Sequence, residues 1–314
     1  MKYEDLLNAI IDKNIYLIQG DSFLSNKAKQ TIFNKLNVDS MSISFFNDEN
    51  FVALDVLNSC NQFSFFDDKR VVVVENIGKA LNEKDKNLFL SYEKNVNVNC
   101  VLIILDNLKV FDFLKSAEVI TCTPSDNYVS DFIKNEFKKY EKKIEVNASN
   151  KLKINCLGNL TRIEIEVKKI CDYLKDQNIV TEEVVNLLVS KDTELKVFDL
   201  TTALSAKNIK KAQQVLYDML KASEPPIKIL ALISNHFRRM FFAKINKGSN
   251  LELSKILGCK EYAITKAKEQ GVNFTAKQLK EIESLLLEVD YSIKSGDMSQ
   301  ENALYYLIFK IVNI

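Results

Sequence analysis

The chain has 314 residues, with 43 Lys and Arg against 42 Asp and Glu and a formal net charge of +1, so it lacks the global positive excess that autonomous nucleic-acid binding would show. Only 7 residues are Gly and 3 are Pro; Gly is thus about 2% against ~7% in average usage, which disfavours turn-dense all-β folds, collagen-like repeats and glycine-rich phosphate loops. A hydrophobic fraction of 46% with 27% charged residues supports a large buried core, and the length favours two or three domains.

The first ~125 residues alternate short β-branched runs with helical patterns. Ile15 to Ile18 is a buried-strand candidate that meets Gly20 and then an amphipathic stretch, Ser25 to Leu36. Met41 to Phe46 reads as a second strand, and residues 49 to 60 as a helix with Phe51, Leu54 and Leu57 at helical spacing. Val71 to Val74 and Val101 to Leu105 are apolar on both faces, as suits a parallel sheet covered by helices on each side, and Glu118 to Thr123 offers one more strand. This is the α/β signature of a doubly wound sheet.

After Pro124 the strand signal stops. Residues 127 to 140 and 160 to 175 have helical periodicity, the latter with Leu160, Ile163, Val167, Ile170 and Leu174 on one face. Thr181 followed by Glu182 and Glu183 predicts an N-cap with acids in the first turn, so three short helices are expected here. From about residue 194 only longer helices are predicted, roughly five of them. Their stripes are Ile209, Ala212, Val215 and Met219; Leu230, Ile233, Phe237 and Phe241; Leu279, Ile282, Leu286, Val289 and Ile293; and Leu304, Leu307, Ile308 and Ile311. Thr275 and Gln278 form a capping-box pattern.

The six cysteines, Cys60, Cys100, Cys122, Cys156, Cys171 and Cys259, form no C-x-x-C pair, and His236 is the single histidine. No zinc set and no secreted disulfide framework is expected, and reduced thiols in a cytoplasmic protein are the reading. The N-terminus carries acids among its apolar residues, and no apolar run approaches the ~18 residues of a membrane span.

Strand, Gly20, helix is where a phosphate loop would lie, yet residues 20 to 27 have one Gly and place Asp21 beside it; a plain strand-to-helix turn is the simpler reading. Val71 to Asn76 resembles a magnesium-holding strand but ends in Glu75-Asn76, and a core strand suffices. Asp106-Asn107 is either a sensor position or a turn. In Gln62 to Arg70, Phe63, Phe65 and Phe66 fall within four residues and are followed by four charges. Pattern alone favours satellite core packing there, with an exposed aromatic wedge as the alternative. Lys134 to Lys143 holds five lysines and reads as a solvated helix face, with phosphate contact the minority view. With one histidine, no nucleophilic triad can be drawn.

Taken in order, Tyr16-Leu17-Ile18-Gln19-Gly20-Asp21-x-Phe23-Leu24, Phe65 to Asn76, Gly158-Asn159-Leu160 ahead of Glu164 and Glu166, Ile179-x-Thr181-x-Glu183-Val184, Phe198-Asp199-Leu200 and Phe237-Arg238 resemble the delta subunit family of the bacterial DNA polymerase III clamp loader. The resemblance spans essentially the full length. It implies an α/β AAA+-like parallel-sheet domain at 1–125 without a working phosphate loop, a small three-helix lid at 126–192 and an all-α collar at 193–314. It further implies a non-catalytic subunit with no cofactor and no metal, which binds the ring-shaped sliding clamp (beta) and favours its opening in DNA replication. Sister subunits (gamma/tau and delta prime) would join through the collar, with primer-template DNA inside the complex. The clamp-binding residues it implies are Phe65 and Phe66, following Ser64, with Gln62 just before; the family's usual Leu is Phe at 65. Lys115-Ser116-Ala117-Glu118 stands where sister subunits carry an arginine finger. Lys138, Lys139, Arg238 and Arg239 are candidate DNA contacts. An atypical ATPase using Gly20 to Lys27 and Glu75, and a stand-alone DNA-binding protein, are the rival readings.

Overall fold

Five of the apolar runs become one parallel sheet: β1 Ile15–Gly20, β2 Ile43–Phe46, β3 Arg70–Glu75, β4 Cys100–Leu105 and β5 Glu118–Cys122. Their spatial order is β2-β3-β4-β1-β5, with every pairing parallel. The computed structural model describes residues 1–64, 67–75, 77, 81–107, 109–175 and 177–314. Its contacts divide the chain into two units, Met1–Glu141 with Leu160–Val167, and Lys142–Asn159 with Lys168–Ile314.

In the first unit the helices are α1 Tyr3–Leu6, α2 Ser22–Leu36, α3 Ala53–Asn61, α4 Glu83–Lys94 and α5 Asp126–Lys138. Side chains alternate across a strand, so a run buried throughout must be covered on both sides. On one face Ile15, Leu17, Val72, Val74, Leu102 and Ile104 pack with Val56, Leu57 and Cys60 of α3 and with Phe89 and Tyr92 of α4. The alternate set, Tyr16, Ile18, Val71, Val73, Val101 and Ile103, is equally buried, and α2, which contacts β1 and β5, buries Leu24, Ala28 and Ile32. Each such fully buried aliphatic contributes about 1.5–3 kcal/mol of transfer free energy. α1 and α4 were not predicted, because α1 is one turn long and α4 buries only Phe89 and Tyr92.

Between residues 126 and 192 the described residues carry a fourth helix besides the three expected: α6 Val146–Asn155 precedes α7 Leu160–Leu174 and α8 Glu182–Leu188. The two-residue strands β6 Lys143–Ile144 and β7 Ile179–Val180 pair in parallel. The predicted apolar face of α7 is buried throughout. Thr181 does sit at the N-cap of α8, but its side chain takes no helix N–H; its hydroxyl bonds the Glu183 carboxylate and holds that acid below its usual range.

The rest of the second unit is helical: α9 Thr193–Ser205, α10 Ile209–Lys221, α11 Pro226–Ile245, α12 Asn250–Leu257, α13 Glu261–Gly271, α14 Ala276–Ser295 and α15 Gln300–Asn313. These seven described helices exceed the rough expectation of five, the additional ones being short. The predicted stripes converge on one core, with Ala212, Met219, Ile233, Phe237, Ile282, Leu286, Leu304 and Ile308 all buried. The Thr275 capping box forms as the sequence predicts: Thr275 Oγ1 accepts the Gln278 N–H at 3.2 Å, and Gln278 Oε1 accepts the Thr275 N–H at 2.9 Å.

Candidate functional site

In open parallel α/β sheets, ligands bind beyond the carboxyl ends of the strands. Gly20, Glu75 and Asp106-Asn107 all lie there, as the register pairs Gly20 with Cys122 and both Ile18 and Glu75 with Leu105. Gly20 has φ 127°, and a Cβ on it would come within 3.0 Å of the Cys122 carbonyl. The glycine therefore answers a close backbone approach, and the next N–H, of Asp21, donates to that same carbonyl at 2.7 Å. The Gly20 N–H donates to Asn107 Oδ1 at 2.9 Å. Asp21 caps α2, its Oδ1 accepting the Leu24 N–H at 3.1 Å.

A phosphate cradle works by presenting open N–H groups and the positive end of a helix to an anion. Here the N–H groups of Gly20, Asp21 and Leu24 already donate within the chain, and the capping carboxylate supplies the negative charge that the helix end attracts. Glu75 is engaged too: Lys29 Nζ reaches its Oε2 at 2.8 Å from α2. Asp106 is buried and turn-forming, its two oxygens accepting the N–H groups of Val110 at 2.9 Å and Phe111 at 2.6 Å. Lys27, in the segment where a loop lysine would stand, lies 4.5 Å from the ring centroid of Phe23 and 4.9 Å from that of Phe132.

The second feature is the segment after α3. Gln62 is its C-cap and is exposed. Phe63 is 75% exposed, which overturns core packing for this residue. Phe65 and Phe66 lie outside the described residues. Their flanks are anchored: Ser64 Oγ lies 2.8 Å from Ser42 Oγ and accepts the Asp67 N–H at 3.1 Å, while Asp67 Oδ2 accepts the Asp39 N–H at 2.9 Å. Arg70 donates to Ser44 Oγ at 2.7 Å and Ser59 Oγ at 3.2 Å, joining the start of β3 to β2 and α3. Both ends of the aromatic segment are thereby fixed to the β2 edge of the sheet.

A family model described as "DNA polymerase III, delta subunit" matches residues 16–123, and a second, "DNA polymerase III delta subunit, C-terminal domain", matches residues 194–311. Together they cover well over half of the chain. The chain belongs to the DNA polymerase III delta subunit family. Among curated proteins, DNA polymerase III subunit delta of Bacillus subtilis (strain 168) is 28% identical over 169 residues, 52% of this chain and 48% of that protein. The probable DNA polymerase III subunit delta of Aquifex aeolicus (strain VF5) is 26% identical over 100 residues, 32% of this chain and 29% of that one. The aligned part thus spans about half or less of the curated relatives' length. The Bacillus subtilis DNA clamp loader delta protein shares the fold, with a TM-score of 0.68 at 23% identity over 99% of each chain.

The candidate DNA contacts of this delta-family chain sit in different settings. Lys138 is exposed. Lys139 Nζ lies 2.6 Å from the buried carboxylate of Glu136. Lys142, expected on the solvated face, is buried and donates to the carbonyls of Lys175 at 2.7 Å and Gln177 at 2.8 Å. Arg238 is exposed, whereas Arg239 pairs with Glu194 at 3.0 Å. The cysteines are unbridged, no metal-holding group of His, Cys, Asp or Glu occurs among the described residues, and no described helix is long and apolar enough to cross a membrane. Sequence reasoning missed Lys29, Ser42 and Asp39, whose roles depend on partners distant in sequence, and it marked Asn107 as a sensor or turn position without its bond to Gly20.

Proposed function

We propose that this chain serves DNA replication as the delta subunit of a clamp loader, binding the sliding clamp, favouring an open ring and hydrolysing no ATP itself. Family membership supports the general role. The observation that carries the clamp-binding assignment is the anchoring of Ser64 and Asp67 on either side of Phe65 and Phe66. Two aromatic side chains between fixed flanks can enter a partner's pocket at reduced ordering cost. Burying both would contribute about 3–6 kcal/mol of gross transfer free energy, and the ring opens only if its open form is bound better than its closed form. The internal bonding of Gly20, Asp21, Glu75 and Asn107 supports a subunit that leaves hydrolysis to its sisters.

In this reading residues 1–125 bind the clamp, 126–192 are a lid and 193–314 a collar joining gamma/tau and delta prime around primer-template DNA in the cytoplasm. Of the four candidate DNA contacts, Lys138 and Arg238 are the better placed, because Lys139 and Arg239 are engaged by Glu136 and Glu194. The test is co-purification with the cognate clamp: Phe65→Ala with Phe66→Ala should abolish binding and leave the circular dichroism spectrum intact. Wild-type affinity in the double variant would overturn the assignment.

A further inference from the structure

Two stretches far apart in sequence close into one ring of hydrogen bonds just ahead of β2. The 3-10 turn Ser40–Ser42 is capped by Asp39, whose Oδ1 accepts the Met41 N–H at 2.8 Å. The Asp39 N–H donates to Asp67 Oδ2 at 2.9 Å, the Asp67 N–H donates to Ser64 Oγ at 3.1 Å, and Ser64 Oγ lies 2.8 Å from Ser42 Oγ. The Ser42 N–H donates to the Asp39 carbonyl at 3.0 Å, which completes the ring through the turn itself. Ser42 is 1% exposed, whereas Phe63, beside Ser64, faces solvent. A hydroxyl shielded from water thus holds one end of the aromatic segment, and in such surroundings a hydrogen bond is stronger than at the surface.

We propose that Ser42, together with the Asp39 N–H, is a positioning residue that sets how fast the clamp is engaged: it holds residues 64 and 67 in the arrangement from which Phe65 and Phe66 bind. This rests on the clamp-binding reading above. Neither positioning group needs to touch the clamp, since Ser42 is buried and Asp39 contributes its backbone N–H. With the ring broken, the ends at 64 and 67 move independently, and only a fraction of the free chains hold them as binding requires. Association slows by that fraction, because the apparent affinity of a partly populated competent state falls in proportion. Once the two aromatic side chains are seated in the partner, the complex itself holds both ends, so dissociation is unchanged. That signature is distinctive, because interface substitutions act mostly on dissociation. A hydrogen bond of ordinary net strength corresponds to about three- to tenfold in the competent fraction.

The test follows the full chain binding to immobilised cognate clamp by surface plasmon resonance, with association and dissociation rates read separately. Ser42→Ala removes one bond of the ring, and Asp67→Ala, at a half-buried position, removes another. Each variant should associate about three- to tenfold more slowly than wild type, with dissociation within about twofold. A purely structural role would lower the thermal midpoint and leave association at the wild-type rate; that result, or a loss confined to dissociation, would overturn the proposal. Phe65→Ala with Phe66→Ala is measured alongside. If that double variant binds like wild type, the clamp-binding reading fails and the proposal with it. If it loses binding while Ser42→Ala associates at the wild-type rate, the positioning role alone is refuted.

Discussion

His236 is buried in the helical core, and its surroundings fix its tautomer. Gln270 Nε2 donates to Thr202 Oγ1 at 2.8 Å and to the Phe198 carbonyl at 3.2 Å, so Gln270 Oε1 faces the imidazole and accepts Nε2–H at 2.8 Å. Nδ1 is then the bare nitrogen, and among the described residues it has no partner. Protonation would place a charge there with no acceptor, beside the Arg239 guanidinium; burial first, and Arg239 after it, push the pKa down from 6.5 to about 4 against the opposing Gln270 bond. The unfolded chain takes up this proton near pH 6.5 and the folded chain only near pH 4, so stability falls as pH drops through that window. At pH 5 the loss attributable to His236 is about 2 kcal/mol relative to pH 7.5. Urea unfolding of wild type and His236→Asn at both pH values isolates it, since the cost of the substitution itself cancels in the double difference and the carboxylates titrate alike in both proteins. The stability advantage of wild type over variant should shrink by about 2 kcal/mol between pH 7.5 and pH 5. Parallel pH dependences, or an imidazole NMR titration with its midpoint near 6.5, would refute the reasoning.

Gly20→Ala should destabilise by about 2 kcal/mol or more in urea unfolding, because the backbone is at φ 127° and the added carbon meets the Cys122 carbonyl. A wild-type midpoint in that variant would show that the strand end can relax away from β5. Lys29→Met, Glu75→Gln and the double variant should give a coupling of about 1–3 kcal/mol, since the pair is 2.8 Å apart and largely shielded; additive losses would show the two side chains to be independent.

How much of this could be read along the chain depends on whether the responsible interactions are local. Val71 to Val74 and Val101 to Leu105 were legible as central strands because burial on both faces writes an uninterrupted apolar run. The α7 stripe and the Thr275 box were legible because their determinants lie within a few turns. α6 was not, since the side chains it buries include Ser149 and Asn155, which carry no apolar period, and two-residue strands such as β6 and β7 carry no period at all. At the candidate site the sequence marked Gly20 as a lone glycine. It could not say why a glycine is required, because the reason is the carbonyl of Cys122 on a strand far along the chain. Phe63 misled for the opposite cause: an aromatic between a helix and an apolar strand fits a core by pattern, and only its 75% exposure decides against one.

The strand-end geometry also argues that the missing phosphate loop is more than a matter of motif residues. Ser25→Gly, Asn26→Lys and Lys27→Thr would write G-x-x-x-x-G-K-T from Gly20 onward. Three features oppose anion binding even then. Asp21 still places its carboxylate on the Leu24 N–H, Asn107 still occupies the Gly20 N–H, and position 25 lies inside α2, where glycine costs about 0.5–1 kcal/mol relative to alanine. Lys29 offers no substitute, since it is committed to Glu75. Positions 27 and 29 differ by roughly 200° around the helix, so α2 sends one lysine to the Phe132 ring of α5 and the other to the sheet end. The triple variant should therefore show no rise in melting temperature with millimolar ATP. A clear rise, which at a hundredfold excess over Kd would correspond to about 2.7 kcal/mol, would mean that Asp21 and Asn107 yield readily. Adding Asp21→Gly and Asn107→Ala to the triple variant is the complementary experiment, because it removes the two side chains that fill the cradle from within.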